Sequence, residues 1–211
     1  MRGAVLSVAL LVAAACVAMP RVSAAANVGG EVFGAFNTHG MNDINDGVSV
    51  LNQGGANFDE IKSGLTGGIA VRVWPAGSWM LSATWEPLFL ESSDAISGDT
   101  FSMDAQTYQA TLGYFFPTMT PAKFGVGGGV GMYNIAGEAT SGTVTSKIEG
   151  SGVGFHLLGM TEMTVSPGFA VTGGLGWRWA DIEMDNTTPT QTADYSGVMA
   201  RVGLAFYLPT P

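Results

Sequence analysis

The chain has 211 residues, of which 46% are hydrophobic and only 12% charged, with 31 glycines and a formal net charge of −9; soluble domains carry about 25% charged residues. The apolar content excludes a disordered chain, and glycine without a three-residue period excludes collagen. Eight basic residues against 17 acidic ones cannot supply the cationic patch of a nucleic-acid binder.

Residues 1–24 read as a cleaved signal peptide. Arg2 precedes an apolar run from Val5 to Met19, Pro20 breaks it, and Val22-Ser23-Ala24 forms a small-residue cleavage signal. The run is shorter than the roughly 20 residues a spanning helix needs. Cleavage after Ala24 or after Ala26 fits equally well. Cys16 is the single cysteine and leaves with the leader, which excludes disulfides, thiolate metal sites and cysteine nucleophiles from the mature chain. Loss of Arg2 and Arg21 leaves six basic residues against all 17 acidic ones, a formal charge of −11.

From residue 25 to 211 the chain reads as one domain of strands, with apolar and polar residues alternating in twos. A first strand over about Val28 to Thr38 sets Val28, Val32 and Phe36 against Glu31 and Asn37, with Phe33 interrupting the polar face. Ile61 to Val73 follows, with Leu65, Ile69 and Val71 opposite Lys62, Thr66 and Arg72. Trp79, Leu81, Ala83 and Trp85 alternate with Met80, Ser82, Thr84 and Glu86. Tyr108 to Phe116 repeats the pattern, and Phe124 to Met132 sets Val126 and Val130 against Lys123 and four glycines. Val153 to Val165 opposes His156 and Glu162 to its apolar face. Phe169 to Trp179 opposes Arg178, and Val198 to Leu208 opposes Arg201. That makes eight strands.

Their connections alternate in length. Trp74 to Ser78, Pro117 to Pro121 and Ser166 to Gly168 are short, whereas His39 to Glu60, Leu90 to Asp104, Gly137 to Glu149 and Ile182 to Asp194 are long and polar. Short turns at one rim and long loops at the other is the plan of a transmembrane barrel. Trp79, Tyr114, Phe116, Phe169 and Phe206 fall near the turn rim, and Trp85, Trp177 and Trp179 toward the loop rim, where aromatic girdles would meet lipid headgroups. The fold expected is therefore all-β: an eight-stranded antiparallel up-and-down transmembrane barrel.

The mature chain resembles the eight-stranded outer-membrane barrels of Gram-negative bacteria, the superfamily of OmpA-like, OmpX-like and opacity-type domains. Its closing segment GVMARVGLAFYL resembles the terminal signal that the family's barrel-assembly machinery reads, although Pro209-Thr210-Pro211 follow it. The resemblance implies an outer-membrane location and contact with outer-membrane lipid, including lipopolysaccharide, and is silent on molecular role.

Charge is sorted along this pattern. Fourteen acids (Asp43, Asp46, Asp59, Glu60, Glu91, Asp94, Asp99, Asp104, Glu138, Glu149, Asp181, Glu183, Asp185 and Asp194) fall in or beside the long loops, where Lys147 is the one base; Lys62 belongs to a polar strand face. Such a rim could hold divalent cations loosely against anionic headgroups. Besides Lys62, eight ionisable residues fall on polar strand faces: Glu31, Arg72, Glu86, Lys123, His156, Glu162, Arg178 and Arg201. An eight-stranded bore is filled by side chains, so its charges must pair. The expectation is a lumenal ionic network in which Glu86 links Arg178 and Arg201, with the strand-five glycines leaving room for the arginines.

No cofactor, metal or catalytic site is expected. Gly125 to Gly131 lacks the following helix of a phosphate loop. Asn42 to Gly47 lacks the ligand spacing of a calcium loop and reads as solvated acidic loop. His39 and His156 have no partners in sequence for a metal site or a triad, so the protein reads as a non-enzyme. The function expected is structural and surface-interacting, with a plugged lumen. The alternatives are a small-ligand or narrow-channel barrel that uses the lumenal arginines for an apolar or anionic ligand, and a soluble lipocalin-like barrel with the apolar face inward.

Overall fold

The computed structural model describes residues 27–53, 59, 60, 62–93, 100–141, 144–185 and 192–208. The expected leader, its cleavage site, Asp94, Asp99 and Pro209 to Pro211 lie outside the described residues, as do the side chains of Glu91, Glu138 and Lys147. In chain order the elements are β1 (Asn27–Thr38), helix α1 (Asn42–Gln53), β2 (Ser63–Ala76), β3 (Trp79–Ser93), β4 (Thr100–Phe115) and β5 (Ala122–Ser141). Then follow β6 (Val144–Ser166), β7 (Phe169–Trp179), β8 (Asp181–Asp185), β9 (Thr192–Asp194) and β10 (Gly197–Tyr207).

Consecutive strands from β1 to β7 pair antiparallel, β10 pairs with β7, and β10 also pairs with β1, which closes the sheet into an eight-stranded up-and-down barrel. The short β8 and β9 prolong β7 and β10 above breaks at Ala180 and at Tyr195-Ser196 and pair with each other, and β8 also pairs with β6. Paired residues can be followed once around the wall from Met132 through Tyr108, Trp85, Ile69, Val32, Leu204, Val171 and Met163. The path returns to β5 at Ala122, ten residues below its start. Eight strands with a shear of ten must tilt by about 40°.

The alternation resolves into two faces. Val32, Leu65, Ile69, Val71, Val130, Leu157, Leu175 and Val202 are all exposed, whereas Glu31, Arg72, Glu86, His156, Glu162, Arg178 and Arg201 are buried inside. The soluble lipocalin-like arrangement would need the reverse. On β7 the outward Phe169 and Trp179 stand ten residues apart, which at that tilt is about 25 Å along the barrel axis, the height of an outer-membrane apolar band. Trp79, Phe116, Phe206 and Trp177 are likewise outward and exposed, and Tyr114 packs edge-on against Trp79 and Phe116. Trp85, expected near the upper rim, is outward but stands only six residues above Trp79 on the same strand, within the band.

The turn rim follows the sequence closely. Gly77 (φ 48°) and Gly168 (φ 76°) take the left-handed conformation in the tight turns, the second directly after Pro167 as a type II turn requires.

The opposite rim differs from expectation. Much of what reads as loop is wall: β5 and β6 stay paired from Gly137↔Ile148 up to Ser141↔Val144, and β3 and β4 up to Ser93↔Thr100. Backbone pairing carries these polar stretches beyond the apolar band, where side-chain alternation has no lipid face to mark. Residues 42–53, read as solvated loop, form α1. Asp43 sits in its first turn, where the helix dipole favours a carboxylate, and its Oδ2 accepts from the Thr192 amide at 3.2 Å. Lys62 lies outside β2, exposed and ion-paired with Glu60, so it is not a lumenal residue.

Glycine makes room on the inner face, although not for the residues expected. A Cβ at Gly129 would stand 2.7 Å from His156 Cε1 and 2.0 Å from the Ala110 carbonyl oxygen, and one at Gly127 would meet Met160. Strand five therefore seats His156 and Met160, while Gly174 on β7 is the glycine beside Arg201. Gly129→Val is expected to destabilise the barrel by about 1–3 kcal/mol through overpacking. Gly34→Ala, whose Cβ would meet only a carbonyl oxygen at 3.9 Å, should stay within about 0.5 kcal/mol. Urea unfolding in detergent micelles measures both.

Candidate functional site in the barrel lumen

The inner wall carries two polar groups at different depths. The lower one lies near the turn rim. Arg72 on β2 stands between Glu162 on β6, with Nη1 to Oε2 at 3.0 Å, and Glu31 on β1, with Nε to Oε2 at 3.7 Å. Glu162 also faces Lys123 Nζ at 3.7 Å and accepts the Tyr207 hydroxyl at 2.5 Å. Glu31 accepts the Thr172 hydroxyl at 2.5 Å. Trp74 Nε1 donates to Tyr207 Oη at 3.2 Å, and Lys123 Nζ lies 4.7 Å over the Trp74 ring. A funnel of about 540 Å³ opens beneath this group between Trp74, Lys123, Glu162, Phe169 and Tyr207.

The upper group centres on Glu86. Its Oε1 accepts from Asn37 Nδ2 at 2.9 Å and Thr66 Oγ1 at 2.7 Å, its Oε2 accepts from Gln109 Nε2 at 3.2 Å, and Arg178 Nη1 stands 3.7 Å from Oε2. Arg178 Nε donates to the Tyr195 carbonyl at 3.2 Å, and its guanidinium lies 5.7 Å from the Tyr133 ring centre. His156 Nε2 shares a 2.8 Å hydrogen bond with Thr111 Oγ1.

The structure thus brings Glu31, Arg72, Lys123 and Glu162 together below, and Glu86 with Arg178 above. The expected contact between Glu86 and Arg201 is not formed: among the described residues Arg201 has no ion-pair partner, and its guanidinium stacks 5.5 Å from the ring centre of Phe33. Phe33, which interrupts the polar face in the sequence, supplies the π-surface for that cation. Sequence reasoning missed Asn37, Thr66, Gln109, Thr172 and Tyr207 as partners. Their inward parity was the available signal, since each occupies a polar position of its strand.

Apolar side chains pack between and above the ionic groups. Trp74, Met80, Phe115, Leu158, Met160 and Met199 form one buried cluster. Above the Glu86 group, Leu88, Ala105, Tyr133, Ile135, Ile182, Met184 and Tyr195 form another, capped by Met41. The strap that delivers Met41 is stitched across the mouth. The His39 amide donates to the Lys62 carbonyl at 2.8 Å, Gly40 to Ser196 at 3.1 Å and Met41 to Asp194 at 3.0 Å. Met41 itself has φ 45°, a conformation unusual for a side-chain-bearing residue and held here by its fully buried side chain.

Around this cap the polarity of the wall reverses. Asp104, Glu149, Asp181, Glu183 and Asp185 face outward and are exposed, while Ile182 and Met184 between them are buried.

No protein-family model matches the chain, and a search of curated proteins gives no match. Solved structures do match. The outer membrane protein OprG from Pseudomonas aeruginosa aligns with a TM-score of 0.58 at 8% identity, over 88% of this chain and 96% of that one. A major outer membrane protein from Thermus thermophilus aligns with 0.52 at 14% identity, over 87% and 100%. Neisserial surface protein A aligns with 0.51 at 11% identity, over 86% and 96%. At such identities the likeness is one of fold: the closed barrel described above is shared with proteins of bacterial outer membranes.

Two expectations follow from the site. Arg72→Met leaves Glu31 and Glu162 buried without their shared cation and should cost about 3–5 kcal/mol in urea unfolding, whereas Lys123→Met, at the open funnel, should cost far less. Burial and the nearby Arg178 charge push the His39 imidazole down from 6.5 to about 4, against a weaker opposing pull from Asp194. The released strap therefore binds a proton more readily than the docked one. Docking is fully stable above about pH 6.5 and weakens as pH falls from 6.5 toward 4. Protease cutting within 42–53 should rise over that window, and His39→Phe should flatten the rise between pH 6.5 and 5.

Proposed function

We propose that the protein is an integral outer-membrane barrel with a plugged lumen, which serves the envelope structurally and meets the surroundings through its acidic mouth. The observation that carries this reading is the reversal of polarity along the wall. Through a band of about 25 Å the wall is apolar outside and ionic inside, and above it the wall is acidic outside and apolar inside. A continuous exposed apolar belt of this extent has no place on a soluble monomer. A bilayer below and water above account for both halves. The fold shared with barrels of bacterial outer membranes supports the same location.

Within this reading, residues 1–24 are the export signal, and β10, with Phe206 outward, is the segment the assembly machinery reads. The exposed carboxylates of α1, β8 and the wall beside them meet lipopolysaccharide headgroups through loosely held divalent cations. The filled bore favours a structural and contact role over solute passage. His156, packed against Gly129 and bonded to Thr111, suits packing better than proton transfer, which favours a non-enzymatic role.

The expressed mature protein should fractionate with outer membranes and migrate faster unheated than boiled on a detergent gel. Recovery as a soluble periplasmic protein without detergent would overturn the reading. Val202, exposed on β10 and paired with Gly34 and Gly173, lies midway through the band. Val202→Lys should weaken folding into lipid vesicles by about 2–4 kcal/mol, where the same change on a water-facing surface would cost almost nothing.

A further inference from the structure

The level of the bore just beneath α1 holds more hydrogen-bonding capacity than its neighbours satisfy. Arg178 Nη1, Tyr195 Oη, Thr107 Oγ1, Asn37 Oδ1 and both ring nitrogens of His39 are buried, and none has a hydrogen-bond partner among the described residues. The Tyr133 hydroxyl, beside Arg178, completes no well-formed hydrogen bond either. All these side chains are more than nine-tenths buried. They come from β1, β4, β5, β7 and the segments next to β1 and β10, so they face one another from around the wall. The His39 and Tyr195 rings meet edge-on at 5.4 Å, and the Tyr133 and Tyr195 rings lie 6.5 Å apart. Tyr133 can lie against the wall because Gly131 and Gly154 leave its ring space: a Cβ at either would stand within 3.0 Å of it.

The chemistry of the surplus is one-sided. Glu86 takes three neutral donors within hydrogen-bonding distance, which leaves Arg178 Nη1, ion-paired with it at 3.7 Å, with a donor that makes no hydrogen bond. Arg178, the two tyrosines, Thr107 and one nitrogen of His39 are donors. Asn37 Oδ1 and the other His39 nitrogen are the acceptors, the Asn37 orientation following from its amide bond to Glu86. Donors grouped on a guanidinium in a low-dielectric enclosure favour an anion. Of the carboxylates near this level, Glu86 is taken by three donors and Asp194 accepts the Ser196 amide.

We propose that the upper lumen beneath α1 binds one small monovalent anion, of the size of a halide, formate or acetate, on Arg178 with the Tyr195 hydroxyl and His39. The inference needs only the folded barrel and not its membrane placement. Heat-modifiable migration, which reports folding, therefore separates a failure of the barrel reading from a failure of this one.

The test uses the mature protein refolded in detergent micelles, with sodium bromide, formate or acetate titrated against sodium gluconate, an anion too large for the enclosure, at constant ionic strength. The temperature at which the fast-migrating band is lost should rise saturably with each small anion. Tyr195→Phe should weaken the apparent affinity by tenfold or more, yet in gluconate alone it should be as stable as the parent or more so, because it removes a buried hydroxyl without a partner. Arg178→Met should abolish the response if it folds; Tyr195→Phe carries the test if it does not. Crystals soaked in bromide should give an anomalous peak beside Arg178. The absence of a saturable response in the parent, an unchanged response in Tyr195→Phe, or a site holding water alone in bromide would each overturn the proposal.

Discussion

The width of the bore governs the rest of this structure. Eight strands with a shear of ten enclose a space that opposing side chains fill by themselves, so every inward residue must fit its neighbours in volume and in charge. Arg72 is tolerated because Glu31 and Glu162 flank it, and Glu86 because Asn37, Thr66 and Gln109 donate to it. Glycine follows from the same limit: Met160 lies across positions where a Cβ at Gly113 or Gly127 would collide with its methyl group. An interior of long ions and methionines therefore requires an unusually glycine-rich wall.

The same wall changes polarity along its height. Below Trp179 the outer face is apolar and the inner face carries the ions, and from Ala180 upward the inner face is apolar and the outer face is acidic. The break between β7 and β8 falls at this change, where the Tyr195 amide bonds to the Ala180 carbonyl and the Ala180 amide to Ser196 Oγ. The chain irregularity thus lies where side-chain parity changes meaning. Above the apolar band this upper piece has a small hydrophobic core of ordinary soluble kind, and Met41, just ahead of α1, completes that core.

This division explains how far the sequence could be read. Within the apolar band every second residue is apolar, so strand number, outward aromatics and the inward parity of the eight expected lumenal residues were legible from alternation alone. Depth was legible in part: counting up from the tight turns sets Glu86, His156 and Arg178 above Glu31, Arg72 and Glu162, although Trp85 lies lower than expected. Partner choice was not. Arg201 rests on Phe33 rather than on Glu86, because the register of neighbouring strands, which alternation does not encode, decides which inward residues meet. The upper rim was misread for the converse reason: Gly137 to Glu149 carries no alternation of apolar and polar residues, so paired strand looked like loop. In α1 the acidic residues and Gly47 masked the helical spacing of Ile44, Val48 and Leu51.

Where the closure resides follows from the layering. Along β6 the inward residues run Glu162, Met160, Leu158, His156, so the two ionic groups are separated by apolar side chains belonging to the wall itself. An ion travelling the axis would have to leave the carboxylates of the lower group and cross that layer without partners, a costly transfer in a low-dielectric bore. Helix α1 lies above both groups and shields the upper core from water. Removing it would expose Ile182, Met184 and Tyr195 and leave the Met160 layer in place. The apolar layer thus belongs to the wall, whereas the strap with its helix belongs to the mouth above it.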